Sequence, residues 1–215
     1  MDATDPPRAA RRSAGEWLFQ LTTITVGVLI ALSFDAVLRW SADRTLLDEA
    51  RAMVALEIAD NRGELHAYLA SFDGRVAKLD IALKLLGELD AGVEPTVHDV
   101  PLDLRFPSLN DAGWQTAERT GAVGLMQYPE VQQLAELYTL QSLFTDTLQP
   151  AFMVAIHAGA ILNATADPYA MPPAARDAMR ARVLELKAYL ALGQQLGQQL
   201  SEAYTSYQAE PARAK

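Results

Sequence analysis

The side chains able to do acid–base or metal chemistry are few and scattered. His66, His98 and His157 stand far apart, with no HExxH and no paired ExxH of the kind di-iron bundles use. The sequence has no cysteine, which removes thiolate metal sites, cysteine nucleophiles, disulfide scaffolds and thiol-borne lipid anchors. Glu57, Asp60 and Glu64 fall on neighbouring turns of one helix. Carboxylates so spaced can hold a cation or form a solvated face, and the solvated face is expected, with no metal and no cofactor. No GxSxG, Walker A or GxGxxG occurs, and Thr120-Gly-Ala-Val-Gly124 is too short to cradle a phosphate. No catalytic residue is assigned, and the chain is read as a non-enzyme.

The densest mixture of aromatic, charged and glycine residues is Trp114 to Tyr128, WQTAERTGAVGLMQY. It reads as a short helix and turn capping a bundle with Trp114 as its plug, or as a pocket wall with Trp114, Tyr128, Tyr138 and His157 as lining. His157, set among apolar residues, is expected to be a satisfied core histidine or groove lining rather than a ligand.

These residues need elements to hold them, and the composition permits a core: 215 residues, 50% hydrophobic and 21% charged. Residues 1 to 40 are neutral by count, so the net charge of −9 lies in residues 41 to 215. A surface of that sign, without a basic stripe, excludes nucleic acid as a partner.

Trp17 to Phe34, WLFQLTTITVGVLIALSF, is uncharged over 18 residues between Glu16 and Asp35. As helix it covers about 27 Å, close to the hydrocarbon thickness of a thin bilayer. Trp17 and Trp40 would lie about 34 Å apart, suited to opposite headgroup layers. A cleaved signal peptide ending near Ala31-Leu32-Ser33 is the rival. Against it, Val28 to Arg62 contains neither Gly nor Pro, so one helix is expected to leave the membrane unbroken. The expected layout is a short cytoplasmic tail (1–16), a transmembrane helix in the lipid bilayer (17–38), a helical domain (41–208) and a loose tail (209–215). The positive-inside count is tied, with Arg8, Arg11 and Arg12 before the span and Arg39, Arg44 and Arg51 after it. A short basic tail left inside, with the acidic remainder exported, is the commoner outcome. Gly27 and Ala31 form a small-xxx-small pair that could support association in lipid.

Beyond Trp40 the apolar spacing is helical throughout. One seam runs through Leu47, Ala50, Val54, Ile58, Asn61, Leu65, Tyr68, Phe72, Val76, Leu79, Leu83 and Leu86, with a bend expected at Ser71 to Gly74. Asn61 on that seam could fix register. Residues 91 to 107 carry Pro95, Pro101 and Pro107 and read as a connection. Ser108 to Asp111 opens a short helix, and Tyr128-Pro129-Glu130 starts a long one through Val131, Leu134, Tyr138, Phe144, Leu148, Phe152 and Ile156. Thr147 to Ala166 lacks charge, but Gln149, Pro150, His157 and Asn163 favour a bundle helix over a second span. The last seam, Val183, Leu186, Leu190, Gly193, Gly197, Leu200, Tyr204 and Tyr207, alternates steps of three and four. The fold expected is all-α: an N-terminal transmembrane helix continuing into an antiparallel bundle of long helices (about 41–90, 109–121, 129–165 and 173–208), one of them a short cap.

The succession of ALSFDAVLRW, LLDEARAMVALEIADNRGEL and AGWQTAERTGAVGLMQYPEVQQLAELYTLQ resembles an uncharacterised family of bacterial single-span membrane proteins with an N-terminal transmembrane helix and a helical domain. The resemblance covers most of residues 17 to 145. It implies a bacterial inner-membrane protein and supplies no catalytic assignment. The function expected is that of an interaction protein, an accessory, scaffold or assembly subunit with a protein partner or a second copy of itself. The alternative is an extracytoplasmic ligand-sensing bundle acting through a partner's helix.

Overall fold

The computed structural model describes residues 14–96, 105–164 and 167–209. Among them every regular element is helical: α1 (Ala14–Ala70), α2 (Phe72–Asp90), α3 (Ala112–Arg119), α4 (Tyr128–Asn163) and α5 (Pro173–Ala209), with 3₁₀ turns at Ala122–Leu125 and Pro168–Ala170. The chain divides into two units, Met1–Glu49 and Ala50–Lys215.

The described part of the first unit is the N-terminal stretch of α1. Leucines, valines and aromatics from Trp17 to Trp40 are exposed, an apolar surface of the kind that marks a membrane or protein contact. The hydroxyls within the stretch are already satisfied. Thr22, Thr23, Thr25 and Ser33 donate to the carbonyls of Leu18, Phe19, Leu21 and Leu29 at 2.7–2.9 Å, so they add little unsatisfied polar surface to the apolar stretch. Among the described residues α1 is the one helix long and apolar enough to cross a membrane.

In the second unit, α1 from Ala50 and then α2 form one side of a three-helix bundle completed by α4 and α5. The seam residues Ala50, Val54, Ile58, Asn61, Leu65 and Tyr68 are buried, as their period requires. At Ser71 the helix breaks where expected. Arg75 mends the break: its Nη1 donates to Ser71 Oγ at 2.7 Å and its Nη2 to the Tyr68 carbonyl at 2.8 Å. The seam then continues through Arg75, Leu79, Ala82 and Leu86, all buried, whereas Val76 and Leu83 are only half-buried. The expected line through Val76 and Leu83 is thus shifted by one residue, because a guanidinium occupies the inward position.

Helix α4 runs through Pro150 without ending. Past Leu148 its core line is Ala151, Val154 and Ala158 rather than Phe152 and Ile156, which are about half exposed, at 52% and 47%. Small residues face α5 there because the two helices approach closely. The uncharged stretch after Thr147 is therefore a bundle helix with one face in the core.

On α5, Val183, Leu186, Leu190, Leu200 and Tyr204 are buried, and Gly193 and Gly197 are buried between them. A Cβ on Gly193 would stand 2.6 Å from Leu148 Cδ2 and 3.2 Å from the Tyr68 hydroxyl; one on Gly197 would meet Leu69 and Phe144 at 3.1 and 3.2 Å. These glycines admit α1 and α4 to close contact. Gly193→Val is expected to destabilise the bundle by about 3 kcal/mol through overpacking, read as a lowered midpoint in urea with unchanged slope.

The contacts also fix direction. Gly193 meets Leu148 while Gly197 meets Phe144, so α5 is antiparallel to α4. Glu57 bonds Tyr138, and Asn61 bonds Gln141, so α1 and α4 run the same way. The described part of the chain before α3 lies along α4 and α1, with Phe106 edge-on to Phe152 at 6.0 Å and Asn110 beside Asn61, and α3 follows beside Glu57.

Candidate functional site

The polar groups of the bundle converge where α3 and the strand of chain before it lie on α1 and α4. Asn61, 1% exposed, grips the Asn110 peptide from both sides. Its Nδ2 donates to the Asn110 carbonyl at 2.6 Å, and its Oδ1 accepts from the Asn110 N–H at 2.8 Å. Gln141 on α4 donates to the same carbonyl at 2.8 Å, and its Oε1 accepts from Asn61 at 3.2 Å and from the Tyr204 hydroxyl at 2.6 Å. Three helices and the returning chain are thereby joined through two side-chain amides. Buried polar groups held this way specify one register, because slipping either helix would leave several of them unpaired.

One turn away, Glu57 caps α3, which begins after Asp111 rather than after Ser108, the N-cap that the sequence pattern suggests. Asp111 precedes α3 but makes no side-chain cap. Instead Glu57 Oε2 accepts from the Gly113 N–H at 2.7 Å, and Oε1 accepts from the Trp114 N–H at 3.3 Å and the Tyr138 hydroxyl at 2.6 Å. A carboxylate there satisfies orphan donors and complements the helix dipole. Gly113 leaves space at the contact, since a Cβ would stand 3.2 Å from that carboxylate and push it back by a few tenths of an ångström. Trp114 stacks on Tyr138 with ring centroids 5.4 Å apart and 11° between planes. Both are 7% exposed, so Trp114 is the plug that the sequence suggested.

An open groove of about 760 Å³ lies beside this stack, between α3 and α4, with Glu118, Arg119, Ser142, Leu143 and Asp146 along its rim. Of the residues considered for a pocket, Trp114 and Tyr138 come together there. Tyr128 does not: it is 80% exposed at the start of α4. His157 is also exposed rather than buried or lining the groove, because it falls on the outward face of α4. His98 lies outside the described residues. No group of acids and histidines that could hold a metal occurs among the described residues, and Glu57, the innermost of the acidic trio, is engaged in capping.

Burial raises the pKa of several tyrosines. Tyr138 is pushed up by desolvation and by the Glu57 carboxylate that accepts its proton. Tyr204 and Tyr207 are raised chiefly by burial. A hydroxyl with a raised folded-state pKa leaves stability intact below the unfolded value near 10 and withdraws it as pH rises further. Ionisation of Tyr138, Tyr204 and Tyr207 is therefore expected only together with loss of helix above about pH 10, so that replacing these three by Phe removes the part of the 295 nm phenolate absorbance that rises with unfolding.

A second polar site sits at the α1–α2 break. Arg75 is 5% exposed and its guanidinium lies 3.8 Å over the Tyr68 ring. Its Nε and the Tyr68 hydroxyl have no hydrogen-bond partner. Burial lowers the Arg75 pKa. The cation is held by a ring, a hydroxyl and a carbonyl rather than by an acid.

Sequence reasoning missed Glu57 as a cap, Gln141 and Arg75. Gln141 carried a signal, since it lies three residues from both Tyr138 and Phe144 and so on their seam. The chain matches no protein-family model, and no curated protein or solved structure is significantly similar to it.

Proposed function

We propose that this chain is a membrane-anchored interaction protein, an accessory, scaffold or assembly subunit of a bacterial inner-membrane complex, with its N-terminal tail in the cytoplasm and its bundle in the periplasm. The observation that carries the reading is the exposed apolar stretch of α1 from Trp17, whose hydroxyls bond their own helix. The polar side chains that converge in the bundle are engaged with one another and with backbone, in capping and register, which is the chemistry of a scaffold. The resemblance to bacterial single-span proteins supports the same placement. In mild detergent the full chain should elute as a complex of fixed stoichiometry; a monomer from gently solubilised membranes would overturn the proposal.

A sensor reading draws on the groove beside Trp114 and Tyr138. A small molecule held there would raise the melting temperature, and Trp114→Ala would abolish the shift.

A further inference from the structure

We infer that two copies of this chain pair through the outward face of α4. The inference deepens the reading of an anchored interaction protein by naming the surface and its occupant. The face has a helical seam of its own: Gln149, Met153, Ile156, Ala160 and Asn163 follow at steps of four, three, four and three. That spacing aligns side chains for another helix. All five positions are exposed, Met153 at 49% and Ile156 at 47%, with Phe152 flanking them at 52%.

Charge selects the occupant. No Asp, Glu, Lys or Arg occurs from Thr147 to Ala166, whereas residues 41 to 215 carry the whole net charge of −9. Two acidic copies meeting elsewhere would oppose carboxylates, on α4 itself Glu130, Glu136 and Asp146; along this seam they bring none together. The patch is also self-complementary, with an apolar middle and an amide at each end, as a two-fold contact requires. The interior face of the same segment, Ala151, Val154 and Ala158, is buried, so the seam is available without unpacking the bundle. Two heptads make a weak contact alone, but anchoring confines both copies to one membrane and raises their effective concentration.

The absence of cysteine makes the test direct. Met153→Cys and Ile156→Cys are introduced separately into the full chain, with Leu56→Cys on α1 as an exposed control, and membranes are treated with copper-phenanthroline. A product of twice the chain mass is expected from positions 153 and 156 and not from 56, and it should be lost when Met153→Cys is combined with Ile156→Glu or Ile156→Ser. No product at 153 or 156, or equal product at 56, overturns the pairing. A product of any other mass also overturns it, while leaving the interaction reading in place. Carbonate washing of the same membranes reports separately on the anchor.

Discussion

Replacing Gln141 with leucine is expected to lower the stability of the bundle by about 3 kcal/mol, although leucine is apolar, fits the helix and occupies a position already buried. The loss comes from what remains behind. The Tyr204 hydroxyl, fully buried, gives its proton to Gln141 Oε1 at 2.6 Å and would have no acceptor. The Asn110 carbonyl would lose one of its two amide donors. Asn61→Leu should cost a similar amount, because it strips the Asn110 N–H of its partner. Since the two amides share the Asn110 carbonyl and each other, the double variant should lose less than the sum of the singles, by about 1 kcal/mol or more. Urea unfolding of all four proteins completes the cycle. Strict additivity would mean that the two amides act independently and do not form one clamp.

The second large effect concerns the anchor. Val26→Arg and Leu29→Arg together place two guanidiniums near the middle of the exposed apolar stretch. At about 3 kcal/mol per arginine the penalty on insertion is about 6 kcal/mol, enough to reverse partition. The doubly substituted chain should leave the carbonate-resistant membrane fraction, while Leu56→Arg, at a residue 69% exposed on the bundle, should stay with it. Retention of the double variant in membranes would mean that α1 is not what holds the chain there.

Much of this architecture can be read from residue spacing, and the misreadings have physical causes. The seam Ala50 to Tyr68, with steps of three or four, and the seam Val183 to Tyr204, with strictly alternating steps, are buried as expected, because each helix presents one face to its neighbours. Arg75 was passed over for Val76 because a period built from apolar residues has no place for a buried cation, and its role of closing a break in the backbone depends on the break. Helical spacing of apolar residues alone runs the inner line of α4 through Phe152 and Ile156, whereas the close approach of α5 admits Ala151, Val154 and Ala158 there. The direction of α4 relative to α1 depends on where the long connection travels, which is decided by Asn61, Gln141 and Glu57 acting across sequence separations that no local pattern records. Glu57 is the clearest case. Its carboxylate looked like part of a solvated face, and its actual partners are backbone N–H groups of Gly113 and Trp114.

The proposed export of the bundle can be tested directly. Ser206 is exposed near the end of α5, and the native chain has no cysteine to compete with a new one. Ser206→Cys in sealed, right-side-out inner-membrane vesicles is predicted to react with a membrane-impermeant maleimide and to sediment with the vesicles. Labelling only after detergent, or labelled chain left in the supernatant, would contradict an exported bundle held by α1.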